Sequence, residues 1–168
     1  MKGKIIAGAI GNCVHVAGVV RFLKLAEELG YEVRFLGAAV PVDEFIKEIQ
    51  AYEPDIVGLS YRLTPEVAER LLQDFKNKIG KEALARYRFA FAGTPPVCRV
   101  AEETGIFERC FTGLENTSKV MEFLGCDEGE CMMKQRSDNL LDRMESAKPT
   151  PILRHHFGLP DLERTIQG

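Results

Sequence analysis

From Lys4 as far as Gly125, short apolar or β-branched runs alternate with stretches whose apolar residues recur at helical spacing. An uninterrupted apolar run fits a buried strand, and recurrence at every third and fourth position fits one face of a helix. Lys4 to Ile10 is predicted as the first strand, followed by a helix from about Val16 to Leu29 that Gly30 stops. Glu32 to Leu36 gives a second strand. Val42, Phe45, Ile46 and Ile49 then share one helical face, with Asp43 and Glu44 in the first turn, where the helix dipole favours carboxylates. Ile56 to Ser60 is the third strand. Thr64-Pro65 opens the next helix as an N-cap followed by proline at the first helical position, and Val67, Leu71, Leu72 and Phe75 supply its buried stripe. Phe89 to Ala92, apolar throughout, predicts a fourth strand covered on both faces. A short helix from about Val97 to Thr104, a weaker strand from Arg109 to Thr112 and a helix from Ser118 to Leu124 complete the series.

Such alternation specifies an α/β domain: five parallel strands in a doubly wound sheet with helices over both faces. Beyond Gly125 the character changes. Asp127 to Glu130 is acidic and reads as a solvated linker, Met132 to Ser146 is a polar helix candidate, and Lys148-Pro149-Thr150-Pro151 interrupts it. After His155-His156-Phe157-Gly158 a new helix starts near Pro160 and reaches Gly168 before completing many turns. The expected organisation is one domain at 1–125 and a C-terminal helical extension at 126–168, leading to a further domain or packing as an arm on a partner chain.

Composition narrows the function. The 168 residues are 45% hydrophobic, enough for one core. A net charge of −3 argues against nucleic acid or an anionic membrane surface as partner, since both select a basic face. Neither a signal-peptide pattern nor a membrane-length apolar run is present, so a cytoplasmic protein is expected. Five cysteines, an odd number in such a chain, are expected as reduced thiols. Cys126 and Cys131 form a C-x4-C pair without the second pair a zinc site needs. Met132 and Met133 read as packing residues. His155 and His156 are adjacent and so diverge rather than share a metal.

In an open parallel sheet, ligands bind beyond the carboxyl ends of the strands where strand order reverses. The loops there are Gly11-Asn12-Cys13-Val14-His15-Val16-Ala17-Gly18, Ser60-Tyr61-Arg62-Leu63-Thr64-Pro65 and Ala92-Gly93-Thr94-Pro95-Pro96. A dinucleotide site needs G-x-G-x-x-G and an acidic end to strand two, whereas the glycines here are Gly8, Gly11 and Gly18 and strand two ends Phe35-Leu36-Gly37. The phosphate-binding G-x-x-x-x-G-K-[ST] is absent. A phospho-receiver wants acidic residues where this chain has Asn12, Cys13 and Ser60.

The remaining pattern, His-x-x-Gly after strand one, Ser after strand three and a glycine turn after strand four, resembles the cobalamin-binding domain family. That family includes methionine synthase, corrinoid methyltransferase proteins and the small or fused domains of B12-dependent mutases, with motifs Asp-x-His-x-x-Gly, Ser-x-Leu and Gly-Gly. The resemblance covers about residues 4–125, and Gly58 to Pro65 is especially similar to methionine synthase. It implies a flavodoxin-like (Rossmann-like) fold that holds adenosylcobalamin or methylcobalamin. By the same resemblance His15 ligates cobalt in place of the cofactor's own dimethylbenzimidazole, and the displaced tail enters between strands one and three. Gly18 leaves room for it, Ser60 hydrogen-bonds the base and Gly93 allows close approach. Gly11, Asn12, Cys13, Val14 and Val16 of the first loop, Tyr61, Arg62, Leu63 and Thr64 of the second, and Thr94 and Pro95 of the third are the neighbouring cofactor contacts. A neutral imidazole suits a transition metal, and a planar group in a cleft needs small residues along its wall.

Three positions depart from the family pattern. Cys13 stands where the family has the aspartate that supports the histidine, Arg62 replaces the leucine of Ser-x-Leu, and Thr94 replaces the second glycine. A thiol accepts weakly, and an unpaired buried guanidinium is costly. The implied role is a B12 carrier that does not catalyse alone, because a partner domain or subunit, expected to be a TIM barrel, presents substrate to the cobalt. A first strand so close to Met1 favours a mutase-type partner, whereas the Ser60 to Pro65 segment favours methyl transfer. Self-association stays open. The alternative is a degenerate B12-type domain without cobalt, acting as an interaction or sensor module.

Overall fold

The structure, a computed structural model, describes residues 1–126. The predicted helical extension, apart from Cys126, lies outside the described residues. Strands β1 (Lys4–Ala9), β2 (Glu32–Phe35), β3 (Ile56–Tyr61), β4 (Arg88–Gly93) and β5 (Arg109–Phe111) form one sheet in the order β2-β1-β3-β4-β5. Every neighbouring pair is parallel, so each connection crosses over a face. The connections carry α1 (Ala17–Glu28), α2 (Val42–Tyr52), α3 (Pro65–Ile79) with the short α4 (Lys81–Arg86), and α5 (Pro95–Glu103), and α6 (Thr117–Phe123) follows β5. This is the doubly wound, flavodoxin-like order, with its switch point between β1 and β3.

The two faces of the sheet differ in bulk, and that difference positions the site. Residues alternate between faces along a strand, so register decides which side chains stand together. Ile6, Val57 and Phe89 are cross-strand neighbours, as are Leu59 and Phe91, and all five are buried. They pack with α2, α3 and α5, where Phe75 meets Phe45 and Phe89 edge-on at 6.3 and 6.1 Å between ring centroids. On the other face, beyond the buried pair Ile5 and Ile56, the carboxyl half is built from the rows Ala7, Gly58, Ala90 and Ala9, Ser60, Ala92 across the same three strands. Side chains this short cannot fill the space between the sheet and its covering helices.

Local differences from the sequence reading have physical causes. Helix α5 begins at Pro95, two residues earlier than expected, because proline is tolerated in the first turn. Helix α4 was hidden in its sequence: only six residues long, it buries none of them and has no apolar stripe to announce it. Thr64 precedes α3 in extended conformation as expected, but its hydroxyl makes no capping bond.

Candidate functional site

The loop from β1 to α1 is pinned to its surroundings by backbone. Ile10 N–H donates to the Ser60 carbonyl at 3.0 Å, Gly11 N–H to Val40 at 2.8 Å, and Ala39 N–H to Cys13 at 2.8 Å. Gly11 turns the chain at φ 70°, where a Cβ would also stand 2.5 Å from Leu71 Cδ1, so the turn requires glycine. The Tyr61 hydroxyl, from the end of β3, donates to Asn12 Oδ1 at 3.2 Å. Cys13 is fully buried beneath the loop, with its Sγ 3.8 Å from His15 Nδ1, while Val14 and His15 are exposed at the carboxyl edge of the sheet. One imidazole nitrogen therefore faces sulfur, and Nε2 carries no bond to the described residues. Thus the thiol at the family's aspartate position does contact the histidine.

Between α1 and α6, over the face of small residues, lies a cavity of about 340 Å³. Its floor includes Ala7, Gly58, Ser60, Ala90 and Ala92; Gly18, Phe22 and Leu25 line it from α1, and Thr117 and Val120 from α6. The volume falls within the range of small-molecule sites, roughly 300–1,000 Å³. Gly18 has nothing within 4 Å of where a Cβ would stand, so its missing side chain is open space rather than a packing requirement. Ser60 is only 3% exposed, yet its hydroxyl makes no hydrogen bond to the described residues and the residue lines this cavity. The floor is thus apolar except for the Ser60 hydroxyl, which opens onto the cavity.

Charged groups gather at the β3 and β5 end. Arg62 lines the cavity half-buried, with Nη1 3.6 Å from where a Cβ on Gly113 would stand. Glu115 lines it too, but its carboxylate is already occupied: the Thr112 N–H, the Thr112 hydroxyl and the Gly113 N–H donate to it at 2.8–3.0 Å. Partial burial pushes this carboxyl up, but those donors outweigh it and hold it at about 2.

Of the residues singled out in the sequence, the structure brings Gly18, Ser60 and Arg62 together in the cavity wall and sets Gly11 to Val16 in the loop at the carboxyl edge. Tyr61 is buried with the bulky face, and Leu63 and Thr64 lead exposed into α3. Gly93, Thr94 and Pro95 lie off the cavity wall. Gly93 has a reason of its own, since a Cβ there would stand 2.7 Å from the Tyr61 carbonyl and 2.9 Å from Phe91. The sequence reading missed Ala7, Gly58, Ala90 and Ala92, although small residues at alternate positions of three strands are a visible signal. Cys98 and Cys110 are free thiols pushed up by burial to about 11 and about 12, inert at neutral pH. Cys13 and Cys126 are also free. Cys131, His155, His156 and the two methionines lie outside the described residues. Among the described residues no group of three metal-ligating side chains occurs and no helix is long and apolar enough to cross a membrane.

Residues 3–119 match the B12 binding domain family. The chain belongs to this family. Solved structures share the fold of this B12 binding domain: a cobalamin-binding protein from Desulfitobacterium hafniense is 24% identical with a TM-score of 0.58, covering 72% of this chain and 58% of its own. A monomethylamine corrinoid protein from Methanosarcina barkeri is 17% identical with a TM-score of 0.54, covering 73% and 57%. The chain thus spans somewhat more than half the length of these corrinoid structures. The same fold occurs in the pilus assembly protein CpaE from Caulobacter crescentus, at 11% identity and a TM-score of 0.52, covering 74% and 92%.

Proposed function

We propose that this B12 binding domain carries a cobalamin whose nucleotide tail fills the cavity between α1 and α6, with His15 Nε2 as the lower cobalt ligand in place of the cofactor's own base. The observation that carries the reading is the cavity itself: a floor of alanine, glycine and one serine whose unpartnered hydroxyl opens onto it, opposite a helix whose second residue is glycine over empty space. A flat heteroaromatic base needs short side chains beneath it and one donor or acceptor at its edge. One histidine would be enough from the protein, because the corrin ring would supply most of the metal's ligands itself.

Each residue then has a defined task. Cys13 faces Nδ1 and so leaves Nε2 outward; Gly18 leaves the opening of the cavity clear; Ser60 offers its hydroxyl to the buried base; Ala7, Gly58, Ala90 and Ala92 set the depth. When bound, the cofactor supplies a transferable methyl group or a carbon-centred radical, according to the catalytic unit that covers it. Such a unit, a barrel domain or subunit, is supported by the exposed apolar residues at the carboxyl edge: Val14 after β1, Phe35 closing β2, Leu63 after β3 and Leu114 after β5. The domain on this reading is a carrier without catalysis of its own.

The test is direct. The 168-residue chain is mixed with hydroxocobalamin and desalted, and the visible spectrum is read. Retained corrin bands, shifted from those of the free cofactor and returned toward them in His15→Ala, are expected. A colourless protein after desalting would refute the reading and favour the module without cobalt.

A further inference from the structure

Arg62 is a half-buried cation of the cavity with no partner among the described residues. Arg62 follows directly on β3, at the mouth of the cavity rather than over its floor, and is half-buried. No carboxylate pairs with its guanidinium and no hydrogen-bond acceptor is in reach among the described residues. Glu115, an acidic residue of the same lining, already accepts from Thr112 and Gly113. A guanidinium removed from bulk water without a partner is a cost that an incoming anion would relieve. The rest of the lining points the same way: Arg21 and Lys24 also line this cavity, so three cations stand beside two carboxylates, Glu28 and the occupied Glu115.

The order of groups along the cavity is informative. Moving inward from the carboxyl edge one meets a cation at Arg62, then a hydroxyl at Ser60, then the bare floor of Gly58, because these three alternate positions lie on one face of β3 and its continuation. A ligand complementary to that order carries an anion first and a flat apolar group beyond it. The nucleotide tail of cobalamin has this order, a phosphodiester followed by ribose and dimethylbenzimidazole. We propose that Arg62 recognises the phosphodiester of the tail and makes this domain selective for complete corrinoids over those truncated before the phosphate. This rests on the proposed seating of the tail in the cavity.

Cobinamide, which keeps the corrin and cobalt but ends before the phosphodiester, separates the two readings. Dissociation constants for hydroxocobalamin and hydroxocobinamide are measured by visible titration of the 168-residue wild-type chain, Arg62→Leu and Arg62→Lys. Leucine occupies this position in the family pattern, and circular dichroism checks that the variant folds. Loss of one charge-assisted contact predicts about 10- to 100-fold weaker hydroxocobalamin binding in Arg62→Leu. Cobinamide affinity should stay the same, and Arg62→Lys should fall between, since an ammonium keeps the charge but not the planar fork. The salt dependence of hydroxocobalamin binding should flatten in Arg62→Leu. If Arg62→Leu binds both corrinoids as wild type does, or weakens both equally, Arg62 does not read the phosphodiester while the cavity assignment stands. If the wild-type chain binds neither corrinoid, both proposals fall together.

Discussion

Cys13 Sγ lies 3.8 Å from His15 Nδ1, with the cysteine fully buried and the imidazole exposed. A thiol can donate to that nitrogen or accept from it, whereas only the tautomer protonated on Nδ1 leaves Nε2 free to bind a metal. A carboxylate would accept only, and so would enforce that tautomer. Cys13→Asp is therefore predicted to shift the His15 ring toward the Nδ1-protonated form, read from long-range ¹H–¹⁵N correlation spectra, and to tighten hydroxocobalamin binding about tenfold. The same change buries a charge, so urea denaturation should show a loss of about 1–3 kcal/mol. An unchanged tautomer balance would mean that the Cys13 contact does not orient the ring.

Gly18 and Gly93 both stand in the family's glycine positions, but the structure gives them opposite reasons for being small. At Gly18 nothing lies within 4 Å of an added Cβ, and the residue is in α1. Gly18→Leu should therefore keep the fold and raise its stability by up to about 1 kcal/mol through better helix propensity, while reducing cobalamin retention more than tenfold by filling the cavity mouth. At Gly93 the added carbon meets the Tyr61 carbonyl, Phe91 and Val97 at 2.7, 2.9 and 3.1 Å. Gly93→Ala should cost about 1–3 kcal/mol whether or not a corrinoid is present. Urea denaturation with and without hydroxocobalamin tests both. Equal destabilisation by the two variants would show that the space beside Gly18 is not open.

The fold was legible because each strand and the longer helices carry a period that sequence alone displays, and the glycines fall where helices stop. Fold class follows from that alternation without side-chain detail. The cavity was less legible. Its floor depends on Ala7, Gly58 and Ala90 standing in line across three strands, and register between strands distant in sequence cannot be read from any one of them. The placing of Cys13 beside His15 was legible from the family pattern, which has the supporting aspartate there, but that the thiol keeps the contact was not. Gly93 illustrates the reverse limit: its pattern position suggested room for a ligand, while its neighbours show that the protein itself occupies that room.

Ser60 is nearly enclosed, yet its hydroxyl has no partner in the described protein. Ser60→Ala should consequently change stability by less than about 0.5 kcal/mol. If the hydroxyl serves the cofactor's base, the same variant should bind hydroxocobalamin about 5- to 10-fold more weakly and cobinamide normally. Calorimetric melting and visible titration measure the two effects separately. A large stability loss with unchanged binding would assign Ser60 to the protein's own packing.

Glu115 couples the cavity rim to pH. Partial burial pushes its carboxyl up, but the bonds from Thr112 and Gly113 hold it at about 2, below the ordinary glutamate value near 4.5. A carboxyl lowered by folding contributes stability that is complete above its unfolded value and is lost as pH falls toward the folded one. The window is therefore about pH 4.5 down to 2. After discounting for exposure, the contribution is on the order of 1 kcal/mol. Glu115→Gln should be less stable than wild type at pH 6, by urea denaturation, and the gap should close through this window. The β5–α6 loop, which presents the 84% exposed Leu114, should loosen first, so hydrogen exchange at Thr112 and Gly113 should rise in the variant at pH 6. A gap that is constant with pH would show that the Glu115 side chain contributes by packing rather than by its charge.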